Sequence, residues 1–329
     1  VTRNMVGIFR ANPDLRLSIT APDVRYEFIV GGGILPFVSQ LAGIGGPVAV
    51  ITDSNIGPLY AQSCGHTDAV ISVPPGQKHK TLTTVQSICE DLVEKGFDRS
   101  ATVIALGGSV ISGLAGFVAA TYMRGIDIVQ CPTSLLAMAD TSIGGKAGIN
   151  LPQGKNLIGA FKQPKAVIVD VATLQSLSPR EFASGMAEVI KQSLIGDPDL
   201  FTRIENGTWI RKAGELQPPL AELQTLVAQA IQVKINIIQE DPFDRGRRAV
   251  LGRDDCDLAS GARIAVGHVA AGILLAVGDL ANAELGTREV DHRGQRLAED
   301  FRHAVALQGR RNRVGNGCVV AKAPGRAGG

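Results

Sequence analysis

Through the first half of the chain, short apolar runs alternate with segments whose apolar residues recur at helical spacing. The runs are "YEFIV", "PVAVITDSN", "DAVISV", "ATVIAL", "IDIVQCP" and "AVIVDV". Apolar runs of this length, ended by polar or glycine-containing turns, predict strands. Between them, "TLTTVQSICEDLVEKG" places Val85, Ile88, Cys89, Leu92 and Val93 on one helical face, with Gly96 where a carboxyl-terminal cap belongs. "GLAGFVAATYMRG" predicts another helix. Strands alternating with helices imply a mostly parallel sheet covered by helices on both faces. From Ser178 onward the pattern turns helical. Ser178 caps, Pro179 takes the first turn and Glu181 completes a capping box. "LAELQTLVAQAIQVKINIIQED" and "HVAAGILLAVGDLANAEL" predict two further helices. The expected organisation is an α/β domain over 1–177, an α-helical domain over 178–307 and a disordered tail over 308–329.

One stretch tests that reading. Between Arg99 and Arg124 no residue is charged, a length that would span a membrane. Its four glycines, and a Gly-Gly turn after "ATVIAL", divide it instead into a buried strand and a helix, so no membrane span is expected. The net charge of +2 gives no general reason to expect nucleic acid. Five cysteines, an odd number with no C-x-x-C pair, suit a reduced, cytoplasmic protein, and the amino terminus has no long apolar core of a signal peptide. The basic residues shift along the chain: residues 1–245 hold ten Lys and ten Arg, residues 246–329 twelve Arg and one Lys.

Four stretches could carry chemistry. The strand–"GGS"–helix junction at Leu106–Leu114 lets the backbone approach a phosphate at a helix amino end, and "TDSN" ends a strand where open α/β sheets bind ligands, with Asp53 placed for a ribose hydroxyl. The run "PTSLLAMADTSIGGKAGINLPQGKNLIGAF" offers Asp140, Lys146, Lys155 and Asn156 among many glycines, a set suited to an anionic, hydroxylated ligand. In "AEVIKQSLIGD", Glu188 and Lys191 share a helix face. By spacing alone they are either an ion pair or a metal ligand beside a substrate-binding ammonium.

In order, "GGSVISGLAGFVAATYMRGIDIVQCPTSLLAMADTSIGGKAGINLPQGKNLIGAFKQPKAVIVD" and "REFASGMAEVIK" closely resemble the 3-dehydroquinate synthases. "TDSNIGPLY", "PPGQKHKTL" and "KINIIQEDPFDRGRRAVL" resemble further segments of that family, over about residues 25 to 251. The resemblance implies a Rossmann-like sheet followed by a helical domain, NAD and a divalent metal, zinc or cobalt, and a cytoplasmic homodimer. It implies a sugar phosphate as substrate, converted with loss of phosphate to 3-dehydroquinate, with neither nucleic acid nor membrane as a partner. By motif position, Asp53, Asn55, Lys80, Gly108, Ser109, Val110, Thr133, Ser134 and Lys155 are the implied cofactor contacts. Arg124, Asp140, Lys146, Asn156, Lys191, Lys234 and Arg248 are the implied substrate residues, and Glu188 the implied carboxylate metal ligand.

The chain departs from the family in three places. Gly113 stands where the family has an aspartate, and Gln77 where it has a glutamate. After Leu251 the chain reads "GRDDCDLASGARIAVGHVAAG" instead of L-N-x-G-H-T-x-G-H-A, so both histidines of that motif are missing. Val266 stands at the second metal histidine of the later stretch, and His268, two residues along, is the substitute on offer; Asp254, Asp255 and Cys256 are weaker ones. The family's late D-K-K lysine has no match. The pattern resembles a local shift of reading frame or a decayed gene copy; high genomic GC content would give the same arginine bias. The alternative readings are an inactive homologue that binds NAD or a partner, and another sugar-phosphate cyclase.

Overall fold

The structure, a computed structural model, describes residues 14–206 and 219–244. The elements run β1 (Leu15–Ala21), β2 (Val24–Gly31), α1 (Val38–Leu41), β3 (Val48–Asp53), α2 (Gly57–Tyr60), β4 (Ala69–Val73), α3 (Leu82–Glu94) and β5 (Thr102–Gly107). They continue with α4 (Ser109–Thr121), β6 (Asp127–Pro132), β7 (Lys146–Leu151), β8 (Gly154–Phe161), β9 (Ala166–Asp170), α5 (Pro179–Gly196), α6 (Pro198–Asn206) and α7 (Leu220–Glu240). Arg248, His268 and the expected tail lie outside the described residues.

The seven-stranded sheet has the order β1-β2-β9-β6-β5-β3-β4. Every pairing is parallel except that of β1 with β2. Each predicted strand is present, and the central ones are mostly apolar because both faces are covered: β5 and β9 are buried at every position. The uncharged stretch is a strand and a helix, and no helix among the described residues is long and apolar enough to cross a membrane.

Local signals end the elements, Gly96 and Ser178 at the places expected. Thr81 caps α3, its Oγ1 accepting from the Thr84 N–H, and Gly96 past its end takes a positive φ of 75°. Ser178 caps α5, accepting from the Glu181 N–H at 3.3 Å. Asp170, 3% exposed at the end of β9, accepts from the N–H groups of Gly33, Leu35 and Ala172 at 2.8, 3.0 and 3.0 Å. That one carboxylate ties the loop after β2 to the turn after β9.

The helices after Ser178 share a core with the sheet. Phe28, Val167 and Val169 pack in one cluster with Phe182, Met186, Leu226 and Ile231. On the other side, β7 and β8 form an antiparallel hairpin joined by Pro152 and Gln153, lying across α4. Close approach is possible there because Gly116 has no side chain: a Cβ would come within 2.9 Å of Ala147. Cys64 and Cys131 are buried in the core, and burial pushes the Cys64 thiol up to about 12, which keeps it un-ionised and inert.

Candidate active site

Four strands deliver residues to the same edge of the sheet. In a parallel sheet all carboxyl ends point one way, so β3, β4, β5 and β6 end side by side. Asp53 ends β3, with Asn55 in the turn behind it. Lys80 lies between β4 and α3. Gly108, Ser109 and Val110 open α4, and Thr133 and Ser134 follow β6. The structure therefore brings eight of the nine expected cofactor residues, all but Lys155 on β8, to one cleft at this edge, the place where open α/β sheets bind ligands.

The cleft suits an anion at α4. Gly108 precedes the helix with no side-chain cap, and no acidic residue lies in the first turn. The first N–H groups and the positive end of the helix lie at this edge of the sheet. A Cβ on Gly107 would come within 2.7 Å of Ile111, so only glycine fits that turn. Asp53 has a local task as well: its Oδ1 accepts from the N–H groups of Asn55 and Ile56 at 2.9 and 3.1 Å.

Lys80 is the buried charge of the cleft, 6% exposed. Its Nζ donates to Asn156 Oδ1 at 2.7 Å, and burial lowers its pKa below the usual lysine value. A Cβ built on Gly113 would lie 2.6 Å from this Nζ. The space beside the residue that replaces an aspartate is thus filled by the lysine itself. Amides complete the network. Asn150 Nδ2 donates to the Gln77 carbonyl and Oε1 at 3.1 and 3.2 Å, and Asn150 Oδ1 accepts from the Asn156 N–H at 2.9 Å. Asn156 holds a positive φ of 55°, a conformation asparagine tolerates. Lys155, beside it on β8, is exposed.

A second cluster lies where the helical part meets the sheet. After Ser134 the chain forms a π-turn over Ala137–Thr141 that carries Asp140, a type of distortion common at functional sites. Asp140 Oδ1 is 2.6 Å from Lys234 Nζ of α7. Gln192 Nε2 of α5 donates to the Ala139 carbonyl at 2.8 Å. Glu188, Lys191 and Gln192 share a helix face, so that contact turns Glu188 and Lys191 toward the same turn. Glu188 Oε1 is 2.7 Å from Lys191 Nζ, yet it has no partner in hydrogen-bonding geometry. We take the short distance as a real electrostatic contact and the poor angle as a sign that a lone pair of Glu188 points elsewhere. The ion-pair reading of the sequence is therefore present, and the metal-ligand reading keeps its donor.

Gly185 explains why a glycine precedes this face. A Cβ there would meet Leu135 Cβ at 2.7 Å and the Leu136 nitrogen at 2.8 Å, so α5 lies directly on the chain leaving β6. We expect Gly185→Ala to push α5 off that segment and to cost about 1–3 kcal/mol, the usual range for overpacking. Chemical denaturation would show it; unchanged stability would mean α5 does not sit this close.

Arg124 stands apart. Helix α4 runs back antiparallel to β5, and its 13 residues span about 20 Å. Its far end, where Met123, Arg124 and Gly125 all have positive φ, lies at the opposite edge of the sheet. Lys146, at the base of the hairpin, pairs with Asp244 beyond α7. Sequence reasoning missed Asp244, Asn150 and the hairpin itself, although "INLPQGKNLI" carries a turn signal between apolar residues. Among the described residues no group of three His, Cys, Asp or Glu is placed to hold a metal.

Comparison with known proteins defines the class first. The fold is shared with the crystal structure of 2-deoxy-scyllo-inosose synthase complexed with carbaglucose-6-phosphate, NAD+ and Co2+. The TM-score is 0.65 at 23% identity, covering 87% of this chain and 81% of that one. The family follows from sequence. The 3-dehydroquinate synthase N-terminal model matches residues 70–184 and the 3-dehydroquinate synthase C-terminal model residues 185–252. A 3-dehydroquinate synthase of Geobacter metallireducens is 37% identical over 307 residues, 88% of this chain and 82% of that protein. That of Symbiobacterium thermophilum is 42% identical over 238 residues, 69% of this chain and 65% of its own length. The chain belongs to the 3-dehydroquinate synthase family. The C-terminal model stops one residue past Leu251, where the motif departs, while a match covering 88% of the chain has to continue well beyond it.

Proposed function

We propose that the chain is a 3-dehydroquinate synthase of the shikimate pathway, acting in the cytoplasm as a homodimer. It converts 3-deoxy-arabino-heptulosonate 7-phosphate to 3-dehydroquinate and phosphate. The observation that carries the reading is the meeting of two sites along one chain: an anion-ready cleft at the carboxyl edge, and a charged cluster built on the π-turn. The names of the relatives and the NAD+ and Co2+ of the structural neighbour support it.

In this reading NAD lies in the cleft. The backbone at Gly108, Ser109 and Val110 receives the pyrophosphate at the amino end of α4, beside Thr133 and Ser134. Asp53, with one oxygen committed to its own turn, offers the other to a ribose hydroxyl; Asn55, Lys80 and Lys155 complete the contacts. When bound, the cofactor takes up and returns a hydride, and the metal polarises the oxygens of the reacting carbons. The protein's own task is to hold charge. Lys191, Lys234 and Lys146 present ammonium groups to carboxylate and phosphate, and Asn156 donates through its amide. Asp140 orients Lys234, and Glu188 supplies one metal ligand. The remaining ligands belong outside the described residues, where His268 lies, as does Arg248. The division at residue 178 and a separate tail from 308 remain part of the proposal.

The test is formation of 3-dehydroquinate from the heptulosonate phosphate with NAD and added zinc or cobalt, followed by mass. Product that requires NAD supports the reading; product made equally without NAD contradicts it. The second reading, an inactive homologue that binds NAD, draws on the end of the C-terminal family match at residue 252. It predicts NAD binding with no product.

A further inference from the structure

The segment leaving α7 turns back onto the base of the hairpin and grips it with two consecutive residues. Phe243 meets Phe161 edge-on, the ring centroids 5.7 Å apart and the planes at 79°. Its neighbour Asp244 pairs through Oδ2 with the Lys146 ammonium. Phe161 and Lys146 are cross-strand partners. Adjacent residues of one segment thus meet a facing pair of the other. Asp244 holds a positive φ of 59°, uncommon outside glycine and tolerated best by Asn and Asp.

The two contacts differ in character. The aromatic one does not depend on charge. The ionic one is open to solvent on the lysine side: the Lys146 side chain is 49% exposed, that of Asp244 23%, and the second oxygen of Asp244, Oδ1, is buried. An ion pair in that setting is weak and open to exchange. Lys146 therefore presents a seat for an oxyanion that one of the chain's own carboxylates fills.

We propose that Asp244 is a built-in competitor for an anion seat at Lys146. Its carboxylate occupies the ammonium when no ligand is present and yields it to the phosphate group of the substrate. The Phe243–Phe161 contact keeps the segment docked while the carboxylate leaves. Asp244 thereby sets the affinity of the seat, because a ligand binds only the fraction of molecules in which the seat is open. The inference rests on the substrate role given to Lys146 above.

The experiment is titration of inorganic phosphate into the full chain by calorimetry. It needs neither NAD nor metal, so a chain without turnover can still pass or fail it. Asp244→Asn keeps the shape and the tolerance for positive φ while removing the charge. We expect it to bind phosphate about three- to tenfold more tightly than the unaltered chain, the gain from removing a weak competing pair. Lys146→Met is expected to lose that binding, and adding Asp244→Asn to it should restore none. Asp244→Gly, also suited to the backbone, carries the same expectation should Asp244→Asn fail to fold. Unchanged or weaker phosphate binding in a cooperatively melting Asp244 variant would make the residue a structural clasp and overturn the proposal. Phosphate affinity that survives Lys146→Met would place the anion elsewhere, for example at α4, and overturn it as well.

Discussion

Glu188→Gln is expected to remove bound metal and to lower phosphate release from the heptulosonate phosphate at least a hundredfold. The substitution keeps the size of the side chain and takes away its charge. If Glu188 were only an ion-pair partner on a helix, the loss would be that of an i,i+3 pair, about 0.2–0.5 kcal/mol, and the rate would move less than about threefold. A metal ligand behaves differently, because a neutral amide oxygen is a poor replacement for a carboxylate in a three-ligand site. The structure favours the larger effect. Glu188 Oε1 is buried and lacks a hydrogen-bonding partner despite the nearby Lys191. Metal content by plasma spectrometry, beside a denaturation curve, separates the two: metal retained at wild-type level with slight destabilisation would leave Glu188 as an ion-pair partner only.

Lys80→Met is expected to weaken NAD binding by about ten- to a hundredfold, the scale of a lost charged hydrogen bond, without loss of stability. A buried ammonium with an amide as its described partner works against folding at neutral pH. The sign follows from linkage. Burial lowers the pKa of Lys80 in the folded chain below its unfolded value, so between those two values the unfolded chain binds more protons and stability rises with pH. Below the folded pKa the cost is fully present. Removing the charge lifts that cost, so the variant's melting temperature at pH 7 should equal or exceed that of the unaltered chain. The advantage should shrink as the pH approaches 10.5. Equilibrium dialysis with NAD and melting curves from pH 7 to 10.5 test both halves. A variant that melts lower at pH 7 with unchanged NAD affinity would make Lys80 a structural residue.

Much of this fold is legible in the sequence. The central strands of the parallel sheet are mostly apolar on both faces, so their runs stand out, and Ser178 and Gly96 mark helix ends by chemistry that depends on few neighbours. Other features depend on partners distant in sequence. β9 inserts between β2 and β6, which no local pattern encodes. The β7–β8 hairpin is rich in glycine because it lies against α4, and that composition hid its alternation. The sequence exposed the missing aspartate at Gly113 but not that Lys80 takes up the space. It grouped Lys146 with a ligand site but not with Asp244, 98 residues away. Arg124 matched a motif, yet the direction of α4 sets it at the far edge of the sheet.

In the proposed function, this cleft and this charged cluster perform the family's reaction despite the departure of the chain after Leu251. The most direct test is phosphate release by the purified full chain with the heptulosonate phosphate, NAD and cobalt, measured together with bound metal. About one metal per chain is expected, as for a single catalytic site, with phosphate release that stops when NAD or metal is withdrawn. No metal uptake and no phosphate release, from a chain that still binds NAD, would contradict it.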